Sequence, residues 1–390
     1  MKKIVICASP HTFGAIEAPA RMIADGLRAK GCQVEIFFLD KNLGAKEFVK
    51  YIKNNDVDGV LALNPSVLRL RYRFSRILSY IKTKLFVFML DDPAYHFKAI
   101  EYLVDNASAG VFFLLPELNQ KLILDQYVLD RRLKGVQTFF FPWAGPDPLL
   151  GMMSDPKPYE LAVFCTLDQQ IAQGVKFAEF VSAIQKKYEL KNIENLLNSL
   201  FVSRYIEPIS SFVNEISGSK FQLNDGELLN LWMELDSLLK EHRRLMLARE
   251  LINIAEASKI KMIICGTGWD KLGDLPETIT LAGPVHYDRQ FEIFKNSKFV
   301  VNLDPNWTNG IHDRVFNAMS VGCAVITNEN MFALSEFTNG KTILSFSEIG
   351  ELSELVLQHD AKEIAQNAML VYQAHHTWAS RVDKLMQCLD

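Results

Sequence analysis

Runs that are apolar at nearly every position recur through the first 150 residues: KIVICA, QVEIFFL, GVLALN, LFVFML, AGVFFLL and VQTFFF. Between several of them the apolar positions return every three to four residues, as in APARMIADGLRAKG (Ala18 to Gly31), the period of an amphipathic helix. A strand that shows no alternation needs cover on both faces, and crossover helices supply it. The rhythm predicts an α/β domain with a parallel, doubly wound sheet.

A proline-rich passage, PWAGPDPLLGMMSDPKPYE (Pro142 to Glu160), breaks the rhythm and reads as an interdomain linker. Strand-like runs resume with ELAVFC, IKMIICG, FVVNLD and CAVIT. Between the first two, from about Ile171 to Ser258, the pattern is nearly all helical, and from Ala361 to Leu389 it reads as helix again. The expected division is a first Rossmann-like domain over 1–145, a linker over 146–160, a second over 161–370 with a helical insertion at 171–258, and a C-terminal helix over 371–390. A chain of 390 residues exceeds what one core usually serves, which agrees with two domains and a cleft.

Composition narrows the function classes. A net charge of -4, from 42 basic and 46 acidic residues, argues against nucleic acid as the main partner. MKKIVICASP moves into polar sequence after one short apolar run, so it reads as a first strand rather than a signal peptide. No run approaches the ~20 apolar residues that cross a bilayer. Five of six cysteines sit in or beside apolar runs without a Cys-x-x-Cys pair, which predicts reduced core thiols and a cytoplasmic protein.

Ligands of doubly wound sheets bind beyond the carboxyl ends of the strands, so chemistry is sought there. After the first strand, Gly14 either lets a backbone N–H approach an anion or makes a plain tight turn, and His11 is a candidate proton acceptor. In MLDDPAYHF, Asp91 and Asp92 end a buried strand, with His96 a turn further on. Asp92 before Pro93 also has the form of a helix cap. IICGTGWDKLG offers Gly266 and Gly268, but Lys271 occupies the third glycine position of a dinucleotide fingerprint, which disfavours a Rossmann dehydrogenase. Asn309 and Gly310 precede a helix bearing His312, Asp313, Arg314 and Asn317. That arrangement is either a diphosphate cradle or an ordinary capped helix. Asp56 and Asp58 precede their strand and read as loop polarity. VLRLRYRFSRILSYIKTK (Val67 to Lys84) carries six basic residues and no acid, and reads as a solvated helix face or a contact with anionic lipid or an acidic acceptor.

Taken in order, the motifs ICGTGWD, LAGPVHYDRQFEIFKNSKFVVNLDPNW, GIHDRVFNAMSVGCAVITNENMFALSEFTNGKTILSF and HHTWASRVDKLM resemble the spore-maturation CgeB-like glycosyltransferases, a branch of the group-one transferases. GAIE, LDDP and FPWAGPDP match more loosely in the first half. The resemblance implies a GT-B fold: two Rossmann-like domains facing a cleft in which a sugar moves from a nucleoside diphosphate (UDP, GDP or dTDP) to a protein, glycan or small-molecule acceptor, with no metal or other cofactor required. It implies that Gly266, Thr267, Gly268 and Trp269 lie near the donor, with His286 and Tyr287 close to the base. It further implies that Asn309, Gly310, His312, Arg314 and Asn317 surround the sugar and diphosphate, and that Gly14 approaches from the other domain. Group-one transferases commonly carry Glu-x7-Glu where this chain has Asn309 and Asn317. A neutral amide makes a weaker bond than a carboxylate, ~0.5–1.5 against ~1.5–3 kcal/mol. A catalytic base would then come from the first domain, from Asp92, Asp91, His11 or His96. Two other functions share the fold: a catalytically silent binding protein and a sugar-nucleotide epimerase.

Overall fold

A computed structural model describes residues 1–40, 44–148, 157–167 and 226–389, with four isolated positions between 179 and 186. Most of the expected helical insertion, 168–225, lies outside the described residues. The chain forms two compact units: Met1–Asp147 with His286–Asp288 and Ala374–Asp390, and Pro148–Val285 with Arg289–Gln373.

The first unit is built on a six-stranded parallel sheet of order β2-β1-β3-β6-β7-β8. Its strands are β1 (Lys3–Ala8), β2 (Gln33–Phe38), β3 (Gly59–Leu63), β6 (Lys84–Phe88), β7 (Val111–Leu115) and β8 (Val136–Phe140). The strand order reverses between β1 and β3, which opens a crevice at their carboxyl ends. Helices α1 (Glu17–Ala29), α2 (Ala45–Asn54), α3 (Phe97–Asn106) and α4 (Leu118–Asp130) make the crossovers.

The β3-to-β6 connection is not the helix suggested by its sequence. It consists of a 3-10 turn over Pro65–Arg69, a two-stranded hairpin of β4 (Arg71–Tyr72) and β5 (Ser75–Arg76), and a second 3-10 turn over Ile77–Tyr80. Val67, Leu68, Ile77, Leu78 and Ile81 bury themselves at the two ends of the connection, and the segment between them closes as a hairpin.

The second sheet, of order β11-β10-β9-β12-β13-β14, is also parallel throughout. It comprises β9 (Tyr159–Phe164), β10 (Met262–Cys265), β11 (Ile279–Leu281), β12 (Ser297–Asn302), β13 (Ala324–Asn328) and β14 (Leu344–Phe346). Its reversal falls between β9 and β12. The long helix α5 (Gly226–Ser258) buries Leu247, Ala248, Leu251, Ile254 and Ala255, one stripe at helical spacing, in the core with Leu161, Val163, Met262 and Ile264. Further helices are α6 (Gln290–Lys295), α7 (Asp313–Ser320), α8 (Met331–Glu336) and α9 (Leu352–Gln358).

The C-terminal run is two helices rather than one: α10 (Ala361–His375) and α11 (Trp378–Leu389). At the break Trp378 N–H donates to the Gly145 carbonyl (2.9 Å) and Gly145 N–H to that of His376 (3.0 Å). Burial, with Arg381 beside it, pushes His376 down to about 3, so it stays neutral. Helix α11 completes the first unit: Trp378 packs among Phe88, Phe141 and Trp143, and Lys30, just past the end of α1, pairs with Asp383.

The six cysteines are free thiols, five of them buried. Burial raises Cys7, Cys265 and Cys323 to about 12, which makes them unreactive packing groups. Among the described residues no helix is long and apolar enough to cross a membrane.

Candidate functional site

At the reversal of the second sheet, β12 ends in buried Asn302 and leads into NLDPNWTNGIH, a loop fixed by buried polar groups. Asp304 is only 5% exposed, a costly position for a carboxylate unless it is bonded. Its backbone N–H donates to Asn328 Oδ1 (2.7 Å), and its Oδ2 accepts from Asn302 Nδ2 (2.8 Å) and from the backbone N–H of His312 (3.1 Å). Asn330 donates to the carbonyls of Trp307 (2.9 Å) and Gly310 (2.6 Å) while its Oδ1 caps α8 through Phe332 N–H. Helix α5 ties the loop from the side: Arg243 donates to the Pro305 carbonyl, and Asn306 donates to Asp236.

Arg314, in the first turn of α7, is set by this frame. Its Nη1 donates to Asn302 Oδ1 (3.3 Å), and its guanidinium carbon lies 5.6 Å from the ring centre of Phe164, the last residue of β9. Arg314 therefore stands over the ends of β9 and β12, at the crevice where such sheets bind ligands. It is half-buried, so it retains surface for an anion. The helix N-terminus is less open than its sequence suggests, because Asp304 already takes the N–H of His312. The fixed cation of the site is Arg314, and beside it the His312 ring contacts the Asp313 carboxylate.

The structure moves two expected donor contacts into the interior. Trp269 is 1% exposed and its indole N–H donates to the Cys165 carbonyl (2.7 Å), so it joins the loops after β9 and β10 and has no face for a ligand. Asn317 is fully buried inside α7, with its amide donating to Asp313 (3.4 Å). Gly266 and Gly268 have φ of 146° and 89°, and a Cβ at either would strike the Cys165 or Leu167 carbonyl. Their geometry is required by the close approach of those loops. Thr267 between them is exposed. Asn309 is half-buried and Gly310 buried in the fixed loop.

In the first unit, Gly14 lies in a turn with φ of 72°, its N–H on the His11 carbonyl (2.9 Å), three residues before α1 begins. A Cβ there would stand 2.6 Å from the His286 ring, and Tyr287 N–H donates to the Phe13 carbonyl (2.8 Å). The space over Gly14 is thus taken by His286. His11 is exposed, with its backbone N–H on Glu17.

At the ends of β3 and β6 a second constellation forms. Asp92 Oδ1 accepts from Ala94 N–H (2.8 Å), which makes it the cap of the 3-10 turn Pro93–His96. Asp91 Oδ2 accepts from Asn64 Nδ2 (2.9 Å) and meets His96 Nε2 at 3.2 Å. In the neutral tautomer that donates Nε2–H to this carboxylate, Nδ1 is the ring's acceptor. Asn64 holds φ of 68°, unusual without glycine, and its Oδ1 also takes Leu90 N–H (2.9 Å).

Asp304, Asn302, Asn328, Asn330 and Asn64 did not emerge from the sequence. The signal for four of them was present in polar residues closing apolar strand runs, NLD after FVV and NEN after AVIT.

Residues 232–387 match the family described as glycosyl transferase-like. No curated protein matches the chain. Solved structures similar over its whole length include the Anabaena protein HepE in complex with UDP and glucose (11% identity, 100% of this chain and 99% of that one, TM-score 0.57). The DNA-modifying enzyme β-glucosyltransferase follows (9%, 100% of each, 0.53), with sucrose-phosphate synthase from Thermosynechococcus elongatus (12%, 100% and 98%, 0.51). Together with the two six-stranded parallel sheets, these likenesses identify the fold as GT-B.

Proposed function

We propose that this chain is a glycosyltransferase that moves a sugar from a nucleoside diphosphate to a hydroxyl of a glycan, protein or small molecule, in the manner of the CgeB-like branch it resembles. The observation that carries the reading is Arg314, fixed between Asn302 and Phe164 at the reversal of the second sheet. A guanidinium there can bond two phosphate oxygens and offset the charge that gathers on the diphosphate as it leaves. That assignment gives the role often filled by a metal to a side chain.

The first unit supplies the base. His96 Nδ1 takes the proton of the acceptor hydroxyl while Asp91, on Nε2–H, orients the ring and stabilises the imidazolium. The acceptor oxygen bonds to the anomeric carbon, and the bond to the diphosphate breaks with its electron pair going to the diphosphate. Asp92 is left to capping, and His11 has no carboxylate on its ring among the described residues. UDP is the first nucleotide to test, since HepE was solved with UDP and with UDP-glucose. A net charge of -4 does not favour DNA as acceptor, although two of the structural neighbours act on DNA or were solved with it.

A silent binding protein is the second reading, favoured by one observation: the amide at 317, where group-one transferases commonly carry an acid, is fully buried. Turnover of UDP-glucose by the purified chain excludes it. The main reading is tested by thermal unfolding with UDP, GDP and dTDP. Stabilisation by one of them that Arg314→Ala removes is the expected result, and no stabilisation by any of them counts against it.

A further inference from the structure

The hairpin in the β3-to-β6 connection serves no need of the proposed reaction, and its construction is unusual. Arg71 pairs with Arg76 and Tyr72 with Ser75, leaving Arg73 and Phe74 to make the turn. Arg73 holds φ of 56°, a conformation that hairpin turns ordinarily give to glycine or asparagine. Phe74 is 101% exposed, the most exposed large apolar side chain among the described residues. A turn that sets a bulky cation in a glycine conformation and an uncovered aromatic beside it is not optimised for the fold.

The surroundings are basic. Arg69, Arg71 and Arg73 are exposed, and no carboxylate partners them among the described residues. Helix α2 packs against β4 and adds exposed Lys46, Lys50 and Lys53, with Glu47 its one acid. Arg76 lies over the Tyr102 ring (4.1 Å), Lys53 over Tyr80 (4.9 Å), Arg73 over Tyr72 (5.5 Å), and Tyr72 packs edge-on against Tyr80, so the hairpin is braced while Phe74 at its tip is uncovered. Two segments of a chain whose net charge is -4 thus converge on one cationic patch crowned by an apolar ring.

An anionic surface with an apolar layer a few ångströms beneath it matches both features. Phosphates meet the arginines, and the ring enters the boundary between headgroups and acyl chains. A duplex nucleic acid would satisfy the arginines and leave Phe74 in water. We propose that the Arg71–Arg76 hairpin docks the first unit on an anionic phospholipid membrane, with Phe74 as the inserted residue.

The test is co-sedimentation of the full chain with phosphatidylcholine vesicles, with and without phosphatidylglycerol. Binding is expected only to the phosphatidylglycerol vesicles and should weaken with salt. Phe74→Ala should reduce it about tenfold. The double variant Arg71→Glu, Arg73→Glu should reduce it at least twentyfold, at about fivefold for each arginine removed. Arg73→Gly relieves the turn, so it should unfold at the same temperature or higher while binding about fivefold less. Several results overturn the proposal: no binding to phosphatidylglycerol vesicles, equal binding to both kinds, or binding that survives the Phe74 and arginine variants. Tighter retention of a single-stranded oligonucleotide than of vesicles at the same salt, lost in those same variants, overturns it in favour of nucleic acid.

Discussion

The two strand-end regions hold their polar side chains in opposite ways. In the second unit the loop from Asp304 to His312 is immobilised by buried groups on four elements: Asn302 and Asn328 at the ends of β12 and β13, Asn330 capping α8, and Asp236 and Arg243 on α5. In the first unit Asn64 donates to Asp91, which is 57% exposed, and Asp91 meets His96, which keeps 18% of its side chain exposed. Binding a diphosphate needs donors fixed in place before the ligand arrives, and a buried polar network provides that rigidity. Moving a proton needs a titratable group that stays accessible to the hydroxyl it serves. The contrast fits the proposed division of labour, with phosphate recognition in the second unit and proton transfer in the first.

The largest expected effect comes from breaking the proton-transfer side alone. His96→Ala should lower kcat by about 10²- to 10⁴-fold, the usual contribution of a positioned base, while UDP affinity by calorimetry stays at the wild-type value. A parallel loss of UDP affinity would erase the distinction between the two regions.

The buried side should respond in stability instead. Asn330→Ala strips partners from the Trp307 and Gly310 carbonyls and from the α8 cap, each orphaned buried group costing about 1–3 kcal/mol. Denaturant unfolding should show that loss, with UDP affinity falling because the loop that sets Arg314 loosens.

The smallest effect separates positioning from stability in the first unit. Asn64→Gly relieves the positive φ, so stability should hold or rise by up to about 1 kcal/mol, yet the Asp91 carboxylate loses its brace. A lower kcat at unchanged KM and unchanged or higher Tm is expected. If kcat is unaffected, Asn64 is only a turn residue.

Much of this frame was legible in the sequence because fully buried strands write themselves as unbroken apolar runs. Ten of the twelve sheet strands stood out as mainly apolar runs, the edge strands β2 and β8 with polar interruptions, whereas Ile279–Leu281 and Leu344–Phe346 are too short to carry a pattern. The Asp92–Pro93 pair announced a cap by local chemistry alone. The hairpin was misread because its cations and aromatics recur at intervals a helix also allows, and only tertiary burial of its two flanks selects the turn. Trp269 and Asn317 stood inside motifs associated with a donor site, but a motif records spacing and not which face of an element turns inward. Asp304 and Asn330 were hidden for the converse reason: polar residues after a strand look like loop surface until the network that buries them is seen.

The central claim is that Arg314, held by Asn302 and Phe164, is the anchor for a nucleoside diphosphate. Isothermal titration of UDP into the wild-type chain and into Arg314→Ala tests it most directly. The expected result is saturable binding to the wild type, with thermal stabilisation of about 2.7 kcal/mol at a hundred times the dissociation constant. In the variant, which should remain folded, affinity should fall by the roughly 1.5–3 kcal/mol of a charge-assisted bond or more. UDP binding of equal strength to both proteins would contradict it.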